Sequence, residues 1–202
     1  MKFCRINISV YFAVLIACIM VLDTTGFAAL ALLCAAIHEA GHFVAMWRLK
    51  APVEEVSFKV FGLNIRLSGN TRLSYRQELA ISLSGCASNL LFCLLSLVFY
   101  RAGILKGQMQ ALFFMNMCLC VFNLLPIGPL DGGRALEAAL CSHIQPAAAR
   151  NIVNAVSVVF IVPLTFLGVY LLAVTGYNFS LLLAAVYLAA SLFFKGKLLE
   201  FA

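Results

Sequence analysis

Apolar runs long enough to cross a lipid bilayer recur along the sequence, and they constrain the fold more than any other feature. A hydrocarbon core of about 30 Å takes about 20 consecutive apolar residues in a helix. We identify about six such runs, at residues 6–22, 26–47, 79–100, 109–125, 152–174 and 179–194. Apolar residues make up 64% of the chain, whereas soluble domains are about 45–50% apolar. The sequence predicts an all-α polytopic membrane protein, a single integral-membrane domain over residues 1–202.

The distribution of positive charge predicts the orientation of these runs in the membrane. Lysine and arginine precede the first run, occur throughout the segment between the second and third, and follow the fourth and sixth. The opposite loops carry few of them, chiefly Arg101 and Lys106. The positive-inside rule therefore places both termini in the cytoplasm. The net charge of +6 reflects this topology, and we expect no nucleic-acid partner.

The segment between the second and third runs has a pattern of its own. Residues 56–60 and 63–67 alternate between apolar and polar side chains on either side of Phe61 and Gly62. Alternation with a period of two predicts a β-hairpin with one apolar face. Such a hairpin either covers hydrophobic surface or offers its free edge to an extended peptide, and the residues alone leave both roles open.

The eight cysteines are interpreted as packing residues. Most of them fall inside the apolar runs, and the sequence contains no Cys-x-x-Cys pair. Both features argue against a disulfide framework or a zinc ribbon.

The second apolar run contains the pattern His-Glu-x-x-His, with His38, Glu39 and His42. Residues four apart lie on the same face of a helix, one turn apart. Two imidazoles in that relation can bind one zinc ion, and the glutamate between them can act on a water molecule at that ion. A pair packed for structure alone would not explain a carboxylate at membrane depth, where ionisable groups are costly. The pattern favours a metal site.

A catalytic zinc needs a third protein ligand, and Asp131 is our candidate. It follows the fourth run in a stretch with Pro126 and Pro129, which interrupt a helix and release backbone groups. Irregular backbone at membrane depth lies where protein buries it or water lines it. The alternative is that Asp131 caps a helix starting at Gly132. The third histidine, His143, is expected to be a surface side chain, and Glu137 is expected to pair with Arg134.

These two motifs, in this order and in membrane helices, resemble those of the site-2 protease family, intramembrane zinc metalloproteases of the M50 type. The second motif reads Asn123-Leu-Leu-Pro126-x-x-Pro129-Leu-Asp131-Gly-Gly. The short layout with about six spans is similar to the branch that includes the stage IV sporulation protein FB. The resemblance extends over nearly the whole chain.

The resemblance implies a role for each matching residue. His38, His42 and Asp131 would bind one zinc ion per chain, and Glu39 would be the catalytic base and acid. Asn123 would hold the substrate backbone near the cleavage site. The partners implied are the lipid bilayer of a bacterial cell, a membrane-bound protein substrate, and a regulatory membrane protein.

The sequence departs from the family pattern in two places. Relatives often have Gly-Pro-x-x-Asn in the third span, whereas this chain has Cys86 in place of the proline, between Gly85 and Asn89. Many relatives also carry a PDZ or a CBS domain, and this sequence has neither. The hairpin at residues 56–67 matches the membrane-associated β element of the family, which favours pairing with substrate.

The sequence thus predicts a zinc metalloendopeptidase that cuts in or near the transmembrane segment of a membrane-bound substrate, close to the cytoplasmic face. This reaction is regulated intramembrane proteolysis, and a sporulation transcription-factor precursor is one candidate substrate. The alternative function is a non-proteolytic membrane metal-binding protein or transporter. A transporter would place polar residues along several helices, whereas the first, fifth and sixth runs offer almost none.

Overall fold

The computed structural model describes residues 5–8, 10–51, 53–59, 62–67 and 73–200. Within these ranges the chain is mainly helical and also contains a small sheet. The elements, in chain order, are β1 (Arg5–Ile8), α1 (Val10–Leu22), α2 (Phe27–Arg48), β2 (Val53–Lys59), β3 (Gly62–Leu67), α3 (Tyr75–Arg101), α4 (Lys106–Asn123), α5 (Asp131–Cys141), α6 (Pro146–Thr175) and α7 (Ser180–Glu200).

Among the described residues, three helices are long and apolar enough to cross a membrane, namely α2, α3 and α6. A shorter apolar helical segment, Ser180–Phe193, lies in α7. Large apolar side chains remain exposed along these helices, for example Phe166, at 72% exposure, and Val159, at 68%. Apolar surface of that extent is expected where lipid surrounds a helix, so the chain is a membrane protein.

The first predicted run differs from the structure at its beginning. We predicted an apolar helix from residue 6, but Arg5–Ile8 form strand β1 and the helix starts at Val10. The sequence Arg-Ile-Asn-Ile alternates in the manner of a strand, and it lies directly beside the long apolar stretch that we extended over it. Helix α1 has 13 residues, which at 1.5 Å per residue span only about 20 Å.

The alternating segment forms β2 and β3, which pair antiparallel from Val53↔Leu67 to Lys59↔Gly62. The turn predicted around Phe61 lies partly outside the described residues. Strand β1 pairs parallel to β2, with Arg5 opposite Glu55 and Ile8 opposite Phe58. The described strands therefore form a three-stranded sheet in the order β1-β2-β3, with β2 at its centre.

By its contacts the chain divides into two compact units, the first comprising residues 1–77 and 84–122 and the second residues 78–83 and 123–202. The first unit has a core of buried cysteines on α2, α3 and α4. Two of them exchange hydrogen bonds: Cys86 Sγ donates to the Cys120 carbonyl at 3.8 Å, and Cys120 Sγ donates to the Cys86 carbonyl at 3.5 Å. Among the described cysteines, Cys34, Cys86, Cys93 and Cys120 are buried as expected for packing residues, whereas Cys18 and Cys118 are exposed.

Side-chain hydrogen bonds to backbone amides precede two helices of the chain. The Ser74 hydroxyl accepts a hydrogen bond from the Gln77 backbone amide, and the Gln77 side chain accepts one from the Ser74 amide, so a capping box precedes α3. Before α2, the Asp23 carboxylate accepts hydrogen bonds from the Thr25 hydroxyl at 2.5 Å and the Ala28 amide at 2.6 Å. The hydrogen bonds from the Thr25 side chain and the Ala28 backbone lower the pKa of Asp23.

In the second unit, α6 packs against both α5 and α7. Ser157 on α6 is fully buried, donates to the Val153 carbonyl at 2.6 Å and accepts from the Gly128 amide at 2.9 Å. This hydroxyl fixes the irregular segment between α4 and α5 to α6. Glu137 pairs with Arg150 at 3.4 Å, so our expected partner, Arg134, was wrong. The packing of α5 on α6 presents Arg150 to the carboxylate instead.

Candidate metal centre

His38 and His42 lie one turn apart on α2, and both side chains are buried. Their Nε2 atoms are 3.2 Å apart. Two ligands of a tetrahedral zinc ion with Zn–N bonds of about 2.0–2.1 Å are separated by about 3.3 Å. The same separation suits an N–H···N hydrogen bond between neutral rings. The distance between the two Nε2 atoms is therefore compatible with a shared zinc ion, and imidazole nitrogen is a common zinc ligand.

The other nitrogen of each ring contacts a polar side chain on α3. His38 Nδ1 is 2.6 Å from Asn89 Oδ1, and His42 Nδ1 is 3.4 Å from the Ser84 hydroxyl. Histidines that bind metals usually donate their second ring N–H to such a group, which fixes the ring orientation and the tautomer. Helix α3 therefore supplies the support that a pair of histidine ligands needs.

Gly85 lets α3 approach the two rings closely. A Cβ atom at this position would clash with His42 Nε2 and would lie 2.7 Å from Cε1 of either imidazole. Any side chain here would push at least one ring out of place. The sequence contains this glycine within the third-span motif, but only the structure reveals that its lack of a side chain makes room for the histidines.

Asn89 belongs to a buried polar network within the first unit. Its Nδ2 donates to Asn116 Oδ1 at 2.8 Å and to the Cys34 carbonyl at 3.4 Å. Asn89 and Asn116 are both fully buried. We did not single out Asn116 from the sequence, although a buried amide in an apolar helix is a signal that could have identified it.

Cys86 is a second residue whose position the sequence did not reveal. His38 and Cys86 each offer one metal-ligating atom, and these two atoms lie within 4.8 Å of each other. The Cys86 residue also occupies the position of the family proline, and α3 continues through it as one helix from Tyr75 to Arg101. The Cys86 thiol donates a hydrogen bond to the Cys120 carbonyl on α4. This bond between helices indicates a packing role for the residue.

Glu39 follows His38 on α2 and is partly buried. Its position in the helix, between the two histidines, is the one that the motif requires of a general base. Asn123 is the last residue of α4 and is also partly buried.

Asp131 is the first residue of α5, in the second unit. The N-cap is Leu130, which makes no side-chain capping hydrogen bond, so Asp131 is not the cap of a helix starting at Gly132. Residues 124–130 interrupt the helices as the two prolines predict. A Cβ atom on Gly133 would clash with the Ile127 carbonyl, so glycine allows this segment to fold tightly against the start of α5.

His143 is exposed in the turn after α5, as predicted for a surface side chain. It lies in the second unit, whereas the buried histidine pair lies in the first.

Three comparisons with known proteins place this architecture in context. The family model of peptidase family M50 matches residues 100–164. The stage IV sporulation protein FB of Bacillus subtilis (strain 168) is 27% identical over 167 residues, which is 80% of this chain and 56% of that protein. The chain thus spans just over half the length of this relative.

The site-2 protease from Methanocaldococcus jannaschii is similar in structure, with a TM-score of 0.65 and 20% sequence identity. The similarity covers 93% of this chain and 89% of that one. It shows that the two chains share a fold. The family match at residues 100–164 includes Asn123 and Asp131 and does not include the histidine pair.

Proposed function

We propose that this chain is an intramembrane zinc metalloprotease of peptidase family M50, the site-2 proteases, on the basis of the family match at residues 100–164 and the similarities in sequence and fold given above. It hydrolyses a peptide bond in or near the transmembrane segment of a membrane-bound protein. The single observation that carries the proposal is the pair of buried imidazoles whose Nε2 atoms converge at 3.2 Å.

We assign the zinc ligands to His38, His42 and Asp131, with one ion per chain. The supports for the histidines are their convergence and the hydrogen bond from His38 Nδ1 to Asn89. The support for Asp131 is the family motif around it. When bound, zinc supplies Lewis acidity, which polarises the scissile carbonyl and makes water more acidic.

Glu39 is the proposed proton carrier. It accepts a proton from the attacking water and returns it to the amine of the leaving peptide, as a general base that becomes a general acid. Its position one residue after His38 keeps the carboxylate beside the metal ligands without making it one of them.

Asn123 and the sheet are the proposed substrate-binding elements. A transmembrane substrate helix must unwind before its carbonyls are accessible, because those groups are bonded within the helix. The Asn123 amide can hold the unwound backbone. Strand pairing at an edge of the β1-β2-β3 sheet would replace the lost backbone hydrogen bonds.

The proposed topology is multi-pass, with both termini in the cytoplasm, on the basis of the positive charges. In this topology, cleavage takes place near the cytoplasmic face and releases a soluble fragment into the cytoplasm, such as a transcription factor from its membrane-bound precursor. The name of the Bacillus subtilis relative makes sporulation precursors the first substrates to test, and a regulatory membrane protein is a further expected partner.

The test is co-expression of the chain with a panel of tagged membrane-bound precursors, comparing wild type with Glu39→Gln. We expect wild type to produce a shortened cytoplasmic fragment and Glu39→Gln to produce none, while the purified variant keeps its zinc. The matched control is Glu137→Gln, which makes the same chemical change at a carboxylate outside the motif and should leave cleavage intact.

Two outcomes would contradict the proposal. Cleavage by a purified Glu39→Gln protein would exclude the assigned base. Zinc uptake into vesicles by wild type, at an equal rate with Glu39→Gln and with no cleavage of any precursor, would favour the rival function of a transporter.

A further inference from the structure

A chain of buried hydrogen bonds leads from His38 to α4 and has a defined direction. His38 Nδ1 is 2.6 Å from Asn89 Oδ1, and Asn89 Nδ2 donates to Asn116 Oδ1 at 2.8 Å. Asn116 Nδ2 then donates to the Leu112 carbonyl at 2.9 Å and to Cys34 Sγ at 3.2 Å. All of these residues belong to the first unit.

Backbone carbonyls fix the orientation of both amides. A carbonyl oxygen only accepts hydrogen bonds, so the group that faces the Leu112 carbonyl must be Asn116 Nδ2. Asn116 Oδ1 therefore faces Asn89 and requires a donor from it. The Cys34 carbonyl, 3.4 Å from Asn89 Nδ2, also requires a hydrogen-bond donor from Asn89.

The orientation of Asn89 in turn decides which nitrogen of His38 carries the ring proton. With Nδ2 engaged by two acceptors, Asn89 presents Oδ1 to the imidazole, and His38 Nδ1 must donate to it. A neutral ring with its proton on Nδ1 has its lone pair on Nε2. Nε2 is the atom that converges with His42.

We propose that Asn116 is a positioning residue that acts through Asn89 to hold His38 in the tautomer with a metal-binding Nε2. Asn116 makes no described contact with His38, so its effect passes through the intervening amide. The consequence for zinc rests on the proposed function, whereas the consequence for the tautomer does not.

The test uses Asn116→Leu, which keeps the approximate size of the side chain and removes both of its polar groups. Asn89 then loses its main acceptor and can rotate to present Nδ2 to His38 Nδ1, which favours the other tautomer. Because outer-shell partners typically change metal affinity by about 10–100-fold, we expect zinc binding to weaken by that factor. The measurement is competition with a chelator of known affinity.

A second variant separates positioning from a general effect on packing. In an Asn89→Leu background no amide connects Asn116 to His38, so Asn116 has no route by which to set the tautomer of the ring. Asn116→Leu should therefore weaken zinc binding much less in that background than in wild type. An equal factor in both backgrounds would overturn the proposal, since a purely structural role predicts that result. Ser96→Ala, another buried polar side chain of α3, is the control and should leave zinc affinity unchanged.

The zinc-free protein provides an independent readout. The chain has three histidines, so the ring nitrogens of protein labelled with nitrogen-15 on histidine give few signals, and replacement of each histidine assigns them. We expect His38 to carry its proton on Nδ1 in wild type and to lose this preference in Asn116→Leu. A wild-type His38 protonated on Nε2, or an unchanged tautomer in folded Asn116→Leu, would refute the inference. Failure of wild type to bind zinc would instead refute the proposed function.

Discussion

Replacement of Gly85 by alanine tests whether the space between α2 and α3 is needed by the histidine pair. The added methyl group would lie 2.7 Å from Cε1 of His38 and of His42, whereas ordinary contacts are 3.4–4 Å. To reach 3.4 Å from both atoms, either the two rings or one of the helices must move by about 0.7 Å. A functional site tolerates displacements of about 0.5 Å. Overpacking costs about 1–3 kcal/mol, and if that cost falls on the metal-binding arrangement, the zinc dissociation constant rises by about 5- to 150-fold.

The assay is chelator competition on purified Gly85→Ala, with circular dichroism to verify that its helices are intact. The matched control is Gly107→Ala in α4, where an added Cβ meets nothing within 4 Å, and we expect wild-type zinc affinity for it. A folded Gly85→Ala protein that binds zinc as tightly as wild type would refute the argument that the rings occupy this space.

The remaining predictions concern Asp131 as the third zinc ligand, the hydrogen bond between Ser157 and Gly128, and the Asp23 carboxylate before α2. Asp131→Ala should lower the zinc content of the purified protein, whereas Cys86→Ala should retain it; the opposite pattern, measured by elemental analysis, would make the thiol the ligand. Ser157→Ala should lower the free energy of unfolding by about 1–3 kcal/mol in denaturant titrations, because the Gly128 amide loses its buried acceptor. The pKa of Asp23 is lowered in the folded protein. Its ionised carboxylate therefore stabilises the fold at pH values above the ordinary pKa of about 3.9. This stabilisation is lost as the pH falls through the lower pKa of the folded state. The difference in melting temperature between wild type and Asp23→Asn should therefore shrink when the pH is lowered from about 6 to about 3, and a constant difference would contradict this account.

The apolar runs and the alternating segment predicted part of the fold: we expected about six spans, and three of the described helices are long and apolar enough to cross a membrane. Helices α2, α3 and α6 follow from runs of lipid-soluble residues, and β2 and β3 follow the alternation. Strand β1 was missed because its pairing partner, β2, lies about 50 residues away, and parallel pairing of distant segments has no local turn signal.

The candidate site was predictable where one helix carries the whole pattern. The spacing of His38 and His42 is sufficient to place both rings on one face of α2. The roles of Gly85 and Asn116 depend on how α3 and α4 pack against that face, and no local spacing in the sequence records this. Glycine and asparagine are also common for reasons unrelated to metals, so neither residue type indicates a partner by itself.

The pairing of β1 with β2 limits where an extended peptide can join the sheet. Both sides of β2 are engaged, by β1 and by β3, so in the described part of the sheet an incoming strand can add only beyond β1 or beyond β3. An extended segment that aligns antiparallel to β3 would run in the same chain direction as β1 and β2. Substrates that add to β3 in this way would therefore share one chain polarity, and a peptide of reversed sequence would present its side chains in the opposite order along the strand.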